Sequence, residues 1–229
     1  MPIPDMLPLG TIVIPKESKS GWEDLRYMVT GYFPRLVTDN TDYDYVMTPW
    51  PLGVINVKGA GQQRYFCCNE DAIAGVESVG MISPESCDWL AERLSTIRTD
   101  EKRKSPLACG GESMSLSLDV QSDCSNAEEL LPTDILPLGS VISESQHPGR
   151  KAMIYQQLTQ DASSGKEYDY CVCAWPQGVD PGDKKLYVIN HDEITAVHFR
   201  GYENALSQEV TKRLEKKRRG SLFTRLFGK

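Results

Sequence analysis

The sequence predicts an α+β protein of two homologous domains, each a small antiparallel sheet of about five strands with a C-terminal helix. Three observations predict it. Four blocks of residues occur twice in the same order. Between the blocks lie short β-branched and aromatic runs of strand length. Each copy closes on a segment of helical periodicity. The repeated blocks are Leu7-Pro8-Leu9-Gly10-Thr11 with Leu136-Pro137-Leu138-Gly139-Ser140, and Tyr43-Asp44-Tyr45-Val46 with Tyr168-Asp169-Tyr170-Cys171. Pro49-Trp50-Pro51-Leu52-Gly53 pairs with Ala174-Trp175-Pro176-Gln177-Gly178. Asn69 to Val76 pairs with Asn190 to Val197. The offset drifts from 129 through 125 to 121, as loop deletions between intact strands would cause.

In each copy the Leu-Pro-Leu-Gly turn opens a first strand, Thr11 to Ile14 in the first copy. Second strands are predicted over Leu25 to Tyr32 and Ala152 to Leu158, third strands over Tyr43 to Thr48 and Tyr168 to Ala174. The third strands end at the Trp-Pro step, because proline cannot donate to a ladder. Fourth strands follow over Arg64 to Cys67 and Leu186 to Ile189. Asn69 and Asn190 suit an N-cap or Asx turn opening a single helical turn. Last strands lie over Val76 to Val79 and Val197 to Phe199. Ser83 then caps a helix with Pro84 at its first position and Leu90, Leu94 and Ile97 on one face. In the second copy Tyr202, Leu206, Val210 and Leu214 form the stripe. The domains are therefore expected at residues 6–98 and 135–219. Residues 99–134 read as a flexible linker rich in Ser, Gly and acids, and 220–229 as a basic amphipathic tail. Within the linker, Met114 to Val120 alternates strictly and could pair onto a sheet edge.

The composition, 40% hydrophobic and 25% charged, is that of an ordinary soluble globular protein. No run approaches the roughly 18 apolar residues of a membrane span, and the N-terminal residues resemble no secretory signal, so a cytoplasmic location is expected. The net charge of −7 is unevenly distributed. Lys212 to Lys229 carries eight basic residues and one acid, leaving the rest of the chain at −14. An acidic body repels phosphate backbones, which excludes nucleic acid as a partner outside the tail. The seven cysteines form no Cys-x-x-Cys pair. Cys67 and Cys68 align with Val188 and Ile189, and Cys171 and Cys173 with Val46 and Thr48, so these are expected to be packed, reduced thiols. Cys109 and Cys124 fall in the linker.

Comparison of the two copies also weighs the candidate chemistry. Each Tyr-Asp-Tyr reads as a half-buried strand whose Asp faces solvent or caps a turn, or as part of a partner surface together with the following Trp. Asn-x-Asp reads as a turn cap, since no calcium loop continues from it. Leu-Pro-Leu-Gly lacks the glycines and lysine of a phosphate cradle. His191 aligns with Glu70 and His198 with Glu77, and no nucleophile with its base recurs. No catalytic residue, cofactor or metal is expected, and the protein is read as a non-enzyme. Candidate partner-binding residues are Tyr45, Trp50, Tyr170 and Trp175, retained in both copies. Leu222, Phe223, Leu226 and Phe227 of the tail join them. Gly220 is expected to end the second helix and Ser221 to cap a short new turn. The basic, apolar tail suits an anionic membrane surface or an acidic partner groove.

The ordered set Leu-Pro-Leu-Gly-Ser/Thr, Tyr-Asp-Tyr, Trp-Pro-x-Gly, Asn-x-Asp-x-Ile-x-x-Val and a closing Gly-Tyr resembles a small bacterial family of unknown-function domains. That family occurs in gene clusters of LXG-type toxins exported by the type VII secretion system. The second copy, ending on Gly201-Tyr202, matches best, whereas Gly80-Met81 stands at that point in the first. The resemblance implies a cytoplasmic accessory protein that binds the helical N-terminal targeting domain of a toxin and helps deliver it for export. The expected function is accordingly a protein-binding adaptor or targeting chaperone. Two other classes compete with it, a toxin-neutralising protein and a membrane-surface scaffold held by the tail.

Overall fold

The polypeptide is described from a computed structural model, over residues 6–17, 25–36, 40–53, 55–57, 61–63, 65–100, 102–107, 135–160, 165–180 and 187–227. In the first repeat the strands are β1 (Ile12–Pro15), β2 (Arg26–Tyr32), β3 (Tyr45–Trp50), the short hairpin β4 (Ile55–Val57) and β5 (Gly61–Gln63), β6 (Phe66–Cys68) and β7 (Ile73–Ser78). Helix α1 (Pro84–Thr99) closes the repeat. The second repeat contains β8 (Val141–Glu144), β9 (Lys151–Gln160), β10 (Glu167–Trp175), β11 (Tyr187–Ile189), β12 (Ile194–Phe199) and α2 (Ala205–Phe227). The sheet orders are β6-β3-β2-β1-β7 and β11-β10-β9-β8-β12, antiparallel throughout. Four strands meander outward, and after a one-turn 3-10 helix (Glu70–Ala72 or His191–Glu193) the fifth returns to pair with the first.

Local chemistry explains most of these boundaries. Ser83 accepts the Ser86 N–H and Ser86 Oγ accepts the Ser83 N–H, a reciprocal cap with Pro84 in the first turn. Asn204 and Ser207 exchange the same two bonds at the start of α2. The β3 strand continues through Pro49, which pairs with Tyr27 of β2. It can do so because the outer strand β6 pairs only as far as Met47, so no outer ladder waits for the missing N–H.

Three expectations are corrected. The stripe on α2 is rotated: Ser207, Leu214 and Arg218 turn inward, Leu206 is 49% exposed, and Tyr202 precedes the helix. Gly220 does not end the helix, which runs unbroken to Phe227. One internal glycine costs only about 1 kcal/mol relative to alanine, and Arg218 is anchored two residues before it. The linker begins later than residue 99. Helix α1 reaches Thr99, and the segment at 102–107 folds back onto the first repeat. There Lys104 N–H donates to Asp42, Leu107 N–H donates to Asp44, and Ser105 and Leu107 are buried. The expected strand at Met114 to Val120 and the thiols Cys109 and Cys124 lie outside the described residues.

The two sheets share one hydrophobic core, contributed by both repeats. Backbone meets backbone where the repeats join. Val179 N–H donates to Thr30 O at 2.7 Å. A Cβ on Gly31 would lie 2.4 Å from Val179 O, and one on Gly178, at φ +80°, would lie 2.5 Å from Thr30 O. Gly53, the equivalent of Gly178, approaches Tyr155 O in the same way but about an ångström more loosely. Gly10 and Gly139, also equivalent, face each other, with Met28 and Met153 on either side. Each position therefore meets its own counterpart or the counterpart of its neighbour, as in the isologous contact of a two-fold dimer. Trp50 stacks on Tyr202 at 5.3 Å, Tyr65 lies 6.3 Å from Tyr155, and Lys151 binds Glu85 at 2.6 Å, all between repeats.

Gly31→Ala should destabilise the protein by about 1–3 kcal/mol in urea unfolding, because the new methyl overlaps the backbone of the other repeat. Gly75→Ala, in a strand of the same sheet with its nearest neighbour 3.9 Å away, should be neutral or stabilising by up to about 1 kcal/mol. Equal effects would show that the close approach carries no stability.

Candidate functional site

The residues that recur most clearly hold the chain to itself. Strand alternation turns Tyr45 and Tyr170 inward, where both are fully buried. Tyr45 Oη accepts Leu7 N–H at 3.2 Å, and Tyr170 Oη accepts Leu136 N–H at 3.0 Å. Each hydroxyl thereby fastens a Leu-Pro-Leu-Gly segment. On its other side Tyr45 Oη donates to Glu70 Oε2 at 3.3 Å, and Tyr170 Oη lies 2.9 Å from His191 Nδ1. The residue after each Asn is thus drawn onto the Tyr, although one repeat uses a carboxylate and the other an imidazole. Burial pushes both tyrosine hydroxyls well above their ordinary pKa, so they stay protonated as donors.

The aspartates between the tyrosines cap the 3-10 turns. Asp44 Oδ2 accepts Glu70 N–H at 3.0 Å, and Asp169 Oδ2 accepts His191 N–H at 2.9 Å. Their remaining oxygens are engaged differently. Asp44 Oδ1 accepts Leu107 N–H at 3.1 Å from the folded-back segment, whereas Asp169 Oδ1 binds Arg218 Nε of α2 at 3.1 Å. Burial raises the Asp44 pKa, opposed by hydrogen bonds from Glu70, Leu107 and Ser105. Arg218, one of the eight basic residues from Lys212 to Lys229, is 7% exposed and ties the last helix to the Tyr-Asp-Tyr strand.

Trp50 and Trp175 are buried too, at 1% and 4% exposure. Trp50 lies against Tyr202, and Trp175 lies under Lys151 Nζ at 5.0 Å. All four aromatic positions assigned to a partner surface are therefore in the core. Retention in both copies reflected packing. The side chains of Leu222, Phe223, Leu226 and Phe227 lie outside the described residues, although their backbone is helical. Cys171 and Cys173 are buried and Cys67 and Cys68 half-buried, and burial raises the Cys68 and Cys173 thiols to about 12, which keeps them as inert thiols. Among the described residues, no group of three His, Cys, Asp or Glu is placed to hold a metal ion. No helix among them is long and apolar enough to cross a membrane.

A cleft of about 360 Å³ lies open on the second sheet. Its floor is Ala152, Val172 and Ile189, and its walls include Tyr187 of the edge strand β11, Tyr155 and, from the first repeat, Tyr65. The loop at Gly178 to Asp180, bonded to Thr30, closes one end. Tyr187 is 51% exposed, one of three large apolar side chains so exposed among the described residues, with Leu52 and Leu206. Sequence reading missed this cleft. The signal was available as Ala152 standing where the first copy has Tyr27.

Residues 135–210 match the family model described as Domain of unknown function (DUF4176). The second repeat carries a DUF4176 domain. The match begins at the segment fastened by Tyr170 and runs through all five strands into α2, so the DUF4176 span contains most of the cleft. No curated protein and no solved structure matches the chain.

Arg218→Ala should cost roughly 3 kcal/mol in urea unfolding, because it leaves a largely buried carboxylate without its cation. Lys212→Ala, on the exposed face of the same helix, should change stability by less than about 0.5 kcal/mol. If Arg218→Ala were as mild as Lys212→Ala, the helix would not be anchored through Asp169.

Proposed function

We propose that the protein is a non-enzymatic adaptor or targeting chaperone for a secreted LXG-type toxin of the type VII secretion system. Its partner in this reading is the helical N-terminal targeting domain of that toxin, and its place of action is the cytoplasm. The observation that carries the reading is the division of labour in the second repeat. The polar groups of the DUF4176 motifs are engaged in holding backbone, while an aromatic-lined cleft beside an edge strand stays open. Aromatic walls around a small concave site suit recognition of another protein's side chains. The family resemblance supplies the identity of the partner, and the cleft supplies a surface that could bind it. The surface is thereby moved from Tyr45, Trp50, Tyr170 and Trp175 to the residues around Tyr187. A second reading, contact of the tail with an anionic membrane, draws on the continuous helix to Phe227, with Arg218 withdrawn from the basic run.

Co-expression of the full chain with each half of an LXG-type toxin from its own gene cluster tests the proposal. The N-terminal helical half should co-purify in a stable complex and the C-terminal toxic half should not. Co-purification of the C-terminal half alone would replace the adaptor by a neutralising protein. Capture of neither would end both.

A further inference from the structure

The two sheets carry the same pair of positions on the same face, filled differently. In the first repeat Tyr27 of β2 reaches across β3 and packs edge-on against Phe66 of β6, with ring centroids 5.3 Å apart at 67°. In the second repeat the equivalent positions are Ala152 and Tyr187. The alanine removes the ring that would cover its neighbour, and Tyr187 is left half exposed on the edge strand. The first sheet has a groove of about 400 Å³ that runs from Pro15 and Glu17 past Tyr27 and Met47 to Phe66 and Cys68. In the second the cleft instead runs over Ala152 to Tyr155 and Tyr65. The first repeat thus shows how a ring packs at this pair of positions: one aromatic ring set at an angle to the next, an arrangement favoured by the ring quadrupoles.

The charges at the mouth specify more. Glu144 is bound by His147 Nδ1 at 2.5 Å and by Gln146 N–H. Lys151 is held between Glu85 and the Trp175 ring, and Asp180 also has a partner. Arg150 lines the same cleft, is exposed, and forms no ion pair among the described residues. An occupant that brings a carboxylate to this point meets an uncommitted cation. The segment at 108–134 of this chain contains no Phe, Tyr or Trp and cannot supply such a ring.

We propose that the cleft receives an aromatic side chain of a partner protein, set against Tyr187 above Ala152, with a neighbouring acidic residue of the partner meeting Arg150. This rests on the adaptor reading only in taking the partner to be a protein, not in which protein it is. The substitution Ala152→Tyr places in the cleft the residue that the first repeat carries there.

The test is selection from a random peptide display library on the immobilised full-length chain. Peptides with Trp, Tyr or Phe next to Asp or Glu should be enriched. A synthetic peptide of the enriched sequence should bind Ala152→Tyr at least about tenfold more weakly, with the melting temperature of the variant unchanged. Arg150→Glu, in an exposed loop, should shift the enriched flanking residue from acidic to basic, and this arm decides the question if Ala152→Tyr fails to fold. No enrichment, enrichment without an aromatic, full binding to a folded Ala152→Tyr, or an unchanged acidic preference in Arg150→Glu would each overturn the proposal. So would displacement of the selected peptide by a synthetic copy of residues 108–134, which would make the chain itself the occupant. Cleft-dependent peptide binding without toxin co-purification would retain this site and discard the toxin, and the converse would do the opposite.

Discussion

Everything in this molecule depends on how closely the two repeats approach. Their backbones touch at Gly31 and Val179, where a side chain would overlap the other repeat, and approach closely at Gly10 and Gly139, where a Cβ would lie 3.3–3.4 Å from the opposite glycine. The approach lets Trp50 reach Tyr202, Tyr65 reach Tyr155 and Lys151 reach Glu85. It also merges two apolar faces into one core. Each five-stranded sheet thus covers part of its apolar face with the other repeat rather than with its own helix alone.

The same seam creates the cleft. Its walls come from the second sheet and from Tyr65 of the first repeat, and its end is the loop bonded to Thr30. With the repeats apart these pieces would not form one cavity. Divergence within the paired structure then separated the roles. Tyr27 and Phe66 cover each other in one repeat, while Ala152 leaves Tyr187 uncovered in the other. The aspartates diverged as well. Asp44 secures the segment that follows α1, and Asp169 secures α2 through Arg218, so one motif anchors two different elements. Asp169 lies on the third strand of its sheet, and Asp44 stands immediately before the third strand of the other.

Much of the fold could be read from the residues. The repeat gave two similar sheets, β-branched runs marked their strands, Ser83-Pro84 marked the start of α1, and Asn-x-Asp marked the 3-10 turns. The failures share one cause, which is that tertiary contacts overrode local signals. Gly220 and the polar composition after Thr99 are breaker and linker signals in isolation. The structure carries α2 past the first and docks the start of the second onto Asp42 and Asp44. The recurrence of Tyr45, Trp50, Tyr170 and Trp175 was compatible with either surface or core, and the structure puts all four in the core. The candidate site lay in the opposite kind of signal. Residues that recur hold the fold, whereas Tyr27 against Ala152, a large ring exchanged for a methyl, marks the place we propose for a partner.

The most direct measurement is the unfolding of the second repeat, residues 135–229, expressed by itself. As a monomer it should show no cooperative transition, because the seam would face water. Any folded form should be a dimer whose melting temperature rises with protein concentration, one copy standing in for the missing first repeat. Addition of residues 1–107 should restore a cooperative transition. A monomeric second repeat that unfolds cooperatively and independently of concentration would contradict the account, since the shared seam would then be an ornament of two self-sufficient domains.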